Sequence, residues 1–212
     1  MATVSPATKI VNEVARATLG PLGLVQRGRS RVWFDDHGWW ITVVAFDSSG
    51  FGQGSYLHVA PDFLWNDRAY FSYNHGRRLA GFIPLDEPSQ FRAEIERVSR
   101  LAVERVLEYR RDFPDISSWA KALTGPPRSW ELFDSAIANA LAGNESRARQ
   151  VLTALRDEDL KDDVEWVRER GTRAAELLRL LDDRAEFVDE IARSVDRFRD
   201  ALRLQPRKLE LA

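Results

Sequence analysis

Apolar positions change their period once along this chain. Between residues 31 and 60 they alternate, or run on, in short stretches rich in tryptophan, phenylalanine and valine; beyond Phe91 they recur every three or four residues. The first pattern predicts strands and the second predicts helices. Arg31-Val32-Trp33-Phe34 and Trp39-Trp40-Ile41-Thr42-Val43-Val44-Ala45-Phe46 flank the turn Asp35-Asp36-His37-Gly38, the signature of a hairpin. The second run is apolar on both faces, so a central strand is expected there. A third strand is expected over Ser55–Ala60, after the glycine-rich turn Ser48–Gly54. A fourth fits within Ala69–Tyr73, and Leu79–Leu85 either adds an edge strand, limited by Pro84, or crosses the sheet.

Helices frame these strands. Ser5-Pro6 opens a short one, with Ile10, Val11, Val14, Ala15 and Leu19 on one face and Gly20-Pro21 as its stop. Ser89 is the expected cap of a long helix to about Asp112, striped by Phe91, Ile95, Val98, Leu101, Ala102, Val106 and Tyr109. A short helix follows over Ile116–Leu123, and Thr124-Gly125-Pro126-Pro127 reads as a linker. Four more helices are expected near Ser129–Ala142, Glu145–Arg156, Asp162–Leu181 and Arg184–Leu204. The first two alternate small and large apolar positions like a tetratricopeptide-type hairpin (Ala138–Asn144, then Ala148), although one hairpin makes no repeat array. The fold class is therefore α+β: an antiparallel meander of three to five strands packed with helices over residues 1–124, then an all-helical segment over 128–212.

Composition narrows the function. With 44% hydrophobic residues and seven tryptophans, the 212-residue chain can build a core. Its 31 basic and 33 acidic side chains leave a net charge of −2, which gives no general pull toward nucleic acid or anionic lipid. The absence of cysteine excludes disulfides, thiolate metal sites and thiol nucleophiles. Met1–Leu24 lacks the basic-then-apolar order of a secretory signal, and no apolar run is as long as a membrane span, so a cytoplasmic location is expected. Arginine far outnumbers lysine, a bias that suggests a GC-rich bacterial genome.

The front half carries a helix ending in the glycine turn Leu19-Gly20-Pro21-Leu22-Gly23-Leu24. An arginine-bearing aromatic strand (Arg29–Phe34), a strand with an apolar centre, a Gly-rich turn, Leu57-His58-Val59 and a helix led by Phe91 follow. Over residues 5–123 this order resembles the uncharacterised bacterial DUF4304-type domains. The resemblance implies an antiparallel sheet with helices on one side and carries no established activity.

Candidate chemistry is sparse. His37, His58 and His75 show no metal-ligand spacing, Asp35-Asp36-His37 reads as a solvated turn, and no metal or cofactor is expected. Gly50-Phe51-Gly52-Gln53-Gly54 leads into a strand, so it cannot aim backbone N–H groups at a phosphate from a helix start. The acidic pairs read as solvated helix faces, and Asp157-Glu158-Asp159 with Asp162-Asp163 as negative charge before a helix N-terminus. Two basic clusters remain. Arg27, Arg29 and Arg31, with His75, Arg77 and Arg78, would form an anion site if both lay on one sheet edge, with Trp33, Trp65 or Tyr73 for stacking.

Trp33, Trp39 and Trp40 cannot share one core, because adjacent strand residues alternate faces; cover from within the chain is expected. Leu177, Leu180, Leu181, Phe187, Val188, Ile191, Val195, Phe198 and Leu202 form a late apolar stripe, suited to the front domain, to a neighbouring hairpin or to a second chain. The expected function is a non-enzymatic binding or interaction role. Its partner is a protein, a hetero-partner or a second copy, held through the C-terminal helices. The alternative is a small-molecule or nucleotide-binding domain, with or without catalysis, using Arg29, Arg31, His75, Arg77, Arg78 and Trp65. No catalytic residue is nominated.

Overall fold

Ser5 caps the first helix, α1 (Pro6–Leu19), by accepting from the Thr8 amide at 3.2 Å, and Pro6 fills the first turn, where no amide partner is needed. In the computed structural model, which describes residues 4–50, 52–66, 70–73, 75–124 and 130–207, a 3-10 turn (Gly20–Leu22) ends α1. Gly23, at φ +86°, redirects the chain from there. The strands follow: β1 (Val25–Gln26), β2 (Val32–Asp36), β3 (Trp40–Ala45), β4 (Gly54–Phe63) and β5 (Arg77–Pro84). They form one antiparallel sheet in the order β1-β2-β3-β4-β5.

The chain is thus α+β, with the expected hairpin in register as Val32↔Ala45 through Asp36↔Ile41. Two details differ from the pattern reading. Residues 70–73 form no strand (Ala69 lies outside the described residues), and a two-residue strand, too short for any periodicity, pairs with β2 instead. Phe51, the linker residues Gly125, Pro126 and Pro127, and the expected helix start at Ser129 also lie outside the described residues.

The chain divides into two units: Met1–Asp62 with Phe71–Arg111, and Phe63–Tyr70 with Asp112–Ala212. The division drawn from sequence fell at residues 124–128; the packing instead gives the short helix before that linker, and the stretch 63–70, to the helical unit.

In the sheet unit, α1 and α2 (Pro88–Asp112) pack on the face carrying Trp33, Val44, Phe46, Leu57 and Val59. Ala7, Val11, Val14 and Leu19 of α1 meet Phe91, Ile95, Val98, Ala102 and Val106 of α2 there, all buried. Each large side chain so buried contributes about 1.5–3 kcal/mol. Helix α2 starts at Pro88, one residue before the expected cap; Ser89 donates its amide and hydroxyl to Glu87 instead. Arg110 closes the unit with both nitrogens of a fork 2.7 Å from the Asp35 carboxylate and one on the Leu22 carbonyl. Trp33, Trp39 and Trp40 are 3%, 7% and 2% exposed, so the chain covers all three. His37 stacks on Trp40 at 3.9 Å.

The helical unit contains a second 3-10 turn (Leu64–Asn66) and α3 (Ile116–Ala122), α4 (Trp130–Leu141), α5 (Glu145–Asp159), α6 (Glu165–Leu180) and α7 (Arg184–Leu202). Asp115 caps α3 and Asp183 caps α7. Gly143, at φ +83°, turns α4 into α5, and Arg184 donates to the Ala140 and Leu141 carbonyls, placing a cation on the α4 C-terminus. The late apolar stripe is consumed here: Leu177, Leu181, Phe187, Ile191, Val195, Phe198 and Leu202 are buried. Among the described residues no helix is long and apolar enough to cross a membrane.

Candidate functional site: an aromatic pocket around a buried arginine

Helical spacing on α6 places Trp166, Arg170 and Arg173 on one face, with Glu169 and Glu176 beside them. That face lines a cavity of about 570 Å³, in the range of small-molecule sites. Helix α4 adds Trp130 and Phe133, the 3-10 turn adds Trp65 and Asn66, and α7 adds Arg197.

The walls are fixed from behind. Asp134, 1% exposed, accepts from Trp65 Nε1 at 2.8 Å and from Asn66 Nδ2 at 2.9 Å through one oxygen. Phe63 stacks parallel on Trp65 at 4.7 Å, and Trp119 meets Phe63 edge-on at 5.0 Å. Trp130 and Trp166 lie 6.3 Å apart with a 20° tilt, and Phe133 sits edge-on to Trp130 at 5.6 Å. Trp166 is half exposed, so one indole faces solvent at this site.

Arg170 is the unusual component. Its side chain is 1% exposed, and its Nε lies 2.7 Å from the equally buried Asp159 carboxylate. Gly171 makes the pair possible, since a Cβ there would sit 2.9 Å from Asp159 Cβ and 2.9 Å from the Leu160 amide nitrogen. The end of α5 therefore approaches α6 at the one residue without a side chain. Desolvating such a pair costs several kcal/mol per ion, which the mutual attraction repays only with good geometry. Asp159 also opposes the helix dipole, a carboxylate at a C-terminus. Both terminal nitrogens of Arg170 are buried without a hydrogen-bond acceptor, while the guanidinium carbon lies 5.4 Å from the Trp130 ring and 5.6 Å from the Trp166 ring. Asn66 Oδ1 is likewise buried without a donor. Its amide orientation follows from Asp134, which can only accept from the NH2 side.

The remaining charges form a lattice at the rim. Arg173 donates to Glu176, Glu190 and Ser194, and Arg197 to Ser194. Burial alone would raise the Glu190 carboxyl, yet hydrogen bonds from Arg173 and Arg193 outweigh it and hold it below the usual range.

The residues nominated from sequence fall elsewhere, except Trp65, which lines this pocket. Arg31 is structural: Nε and Nη2 reach Thr8 Oγ1 at 2.9 and 2.8 Å, and Nη1 reaches the Gly54 carbonyl at 2.9 Å. Arg29 is exposed, and only its carbonyl is engaged, by Asn12. Arg77 and Arg78 open β5, and His75 precedes them. Since β3 and β4 lie between β2 and β5, the two basic clusters do not share a sheet edge. Arg78 instead lies 4.0 Å over Tyr56 and donates to His58 Nε2 at 3.3 Å, while His58 Nδ1 sits 2.5 Å from Asp47. Among the described residues no group of three or more histidine and acidic side chains is placed to hold a metal ion.

Sequence reading passed over Arg170, although the signal was present. Val167, Gly171, Ala174 and Leu177 form the buried stripe of α6, and Arg170 falls inside it. A charge inside an apolar stripe is the informative exception to burial rules. Compared with known proteins, the chain matches no family model, no curated protein and no solved structure.

Proposed function

We propose that this is a non-enzymatic binding protein whose helical unit captures a small planar ligand in the aromatic pocket. The observation that carries the reading is the lining: Trp65, Trp130, Phe133 and the half-exposed Trp166 surround a cavity of about 570 Å³. The lining supplies ring faces and fixed donors, the groups that bind and orient. Seven of the nine residues in the late apolar stripe are buried within the chain and Leu180 and Val188 are half-buried, which weighs against a protein partner held there.

The test is titration of intrinsic tryptophan fluorescence with a panel of planar heteroaromatic compounds, in the wild type and in Trp166→Ala. The reading expects saturable quenching by at least one compound, weakened several-fold in the variant. Quenching that is unsaturable, or equal in both proteins, overturns it.

A further inference from the structure

Resting on the pocket reading above, we infer that the ligand is a planar aromatic cation with N–H donors at its edge, as in an aryl amidinium or a protonated aminoheteroaromatic ring. Its recognition elements are side chains that line the cavity and stay open to solvent: Trp166 at 50% exposure, Tyr70 at 63%, and the exposed carboxylate of Glu169.

Pairing among the charges of the lining sets Glu169 apart. Arg170 is matched by Asp159 at 2.7 Å. Arg173 gives one nitrogen to Glu176 at 3.1 Å and another to Glu190 at 2.6 Å, and Arg197 reaches Ser194 at 3.0 Å and Glu190 at 3.5 Å. Arg193, which also holds Glu190, lies outside the lining. Among the described residues Glu169 has neither a hydrogen-bond nor an ion-pair partner. A cation can therefore pair with Glu169 without displacing any protein group. An anion would have to compete with Glu176 and Glu190 for Arg173 and Arg197, and would meet the Glu169 charge as well.

Helix geometry puts this free carboxylate beside a ring. Trp166 and Glu169 stand three residues apart on α6, neighbours along one face. The Trp166 side chain keeps half its surface open although the Arg170 guanidinium lies 5.6 Å from its ring centroid. An indole face attracts a cation, more strongly than a phenol or phenyl face does. Asp159 offsets the Arg170 charge that would otherwise oppose a second cation on this ring. A flat cation can thus lie on Trp166 and turn its N–H edge to Glu169 in a charge-assisted hydrogen bond, with Tyr70 supplying another open ring. A compact ammonium would satisfy the carboxylate but leave most of the indole face uncovered, so the site favours a planar charge.

The experiment is calorimetric titration of the full chain at neutral pH with benzamidine, benzamide and benzoate. These planar probes are alike in size and carry a positive charge, none and a negative one. The titrations are repeated on Glu169→Gln and Trp166→Ala. Benzamidine should bind about five-fold or more tightly than benzamide, the combined effect of an exposed ion pair and a cation–ring contact, with benzoate weakest. Glu169→Gln should bring benzamidine down to the level of benzamide and leave benzamide unchanged. Trp166→Ala should weaken both several-fold while benzamidine stays ahead through Glu169. Added salt should weaken benzamidine and leave benzamide unchanged. Should Trp166→Ala lose stability, the wild-type ranking and the exposed Glu169 variant still decide the matter. Equal binding of benzamidine and benzamide, benzoate as the tightest ligand, or a benzamidine preference that survives Glu169→Gln overturns the inference while leaving a planar-ligand pocket intact. No binding by any of the three also overturns it, and the heteroaromatic fluorescence panel then decides the pocket reading separately.

Discussion

Replacing Gly171 by alanine sets two physical effects in opposition, and the structure says which wins. Gly171 lies inside α6, where alanine is favoured over glycine by about 1 kcal/mol from helix propensity alone. The new methyl, however, would stand 2.9 Å from Asp159 Cβ, 2.9 Å from the Leu160 nitrogen and 3.2 Å from the Asp159 carbonyl carbon. Carbon atoms rest at about 3.5–4.0 Å, so the end of α5 must retreat by roughly 0.5 Å or more. Two of the three obstructing atoms are backbone and have no rotamer to escape into. Such overpacking costs about 1–3 kcal/mol. The retreat also stretches the 2.7 Å Asp159–Arg170 contact, and complete rupture of a buried pair costs about 3–5 kcal/mol. Partial stretching plus overpacking, less the propensity gain, leaves Gly171→Ala about 1–3 kcal/mol less stable. With a urea dependence of about 2 kcal/mol per molar, the transition followed by tryptophan fluorescence should move down by roughly 0.5–1.5 M. Propensity alone would move it up by about 0.5 M. A variant more stable than the wild type would therefore refute the close approach of α5 and α6, and with it the stated reason for Arg170's geometry.

Three further outcomes follow from the same contacts. Burial alone would raise the Asp35 carboxyl, but His37 and Arg110 outweigh it and lower it to about 2. A depressed carboxyl stabilises above its unfolded value and loses that contribution as pH falls toward the folded one, so about 2 kcal/mol should disappear between about pH 4 and 2. Acid titration of Asp35→Asn against the wild type checks this, and equal acid sensitivity of the two proteins contradicts it. Asp134→Ala strands the donors of Trp65 and Asn66 and should cost about 2–4 kcal/mol; thermal unfolding reads the loss, and unchanged stability would remove Asp134 as the anchor of the pocket wall. Asp183→Ala deletes the acceptor for the Ala185 and Glu186 amides, at 3.0 and 3.1 Å. A loss of about 1 kcal/mol, or roughly 2–4 °C in Tm, is expected by differential scanning calorimetry.

The sequence carried the fold further than it carried the site. The aromatic and β-branched runs at Val32–Phe34 and Trp40–Ala45 and the cap-and-proline start at Ser5-Pro6 are local signals, and the structure has them where the pattern put them. The pocket depends on distant pairing, for which one chain offers little warning. Asp159 stands in an acidic run that locally reads as charge preceding a helix; only the approach of α6 turns it into the buried end of α5. Trp65, nominated with Trp33 and Tyr73 for stacking at an anion site formed by the two basic clusters, stacks instead with Phe63 and lines the cavity reached by Trp130 and Trp166. Arg31 was legible as a cation but not as a tether, because its acceptors are Thr8 and a β4 carbonyl 23 residues away on either side. Side-chain identity announces what a residue can do, whereas its choice of partner is a property of the fold.

One consequence of the doubly threaded helical unit concerns biosynthesis. Trp65 and Asn66 leave the ribosome among the strands, yet their acceptor, Asp134, follows 69 and 68 residues later. Domains generally mature as units during translation, but here an early eight-residue stretch must wait for helices not yet made. A fragment beginning at Asp112 would contain every long helix of that unit and still lack the part of the cavity lining that Trp65 and Asn66 supply. Gene dissection at the glycine–proline stretch would accordingly separate the aromatic pocket from part of its lining, and the pocket can be excised whole only if residues 63–70 travel with it.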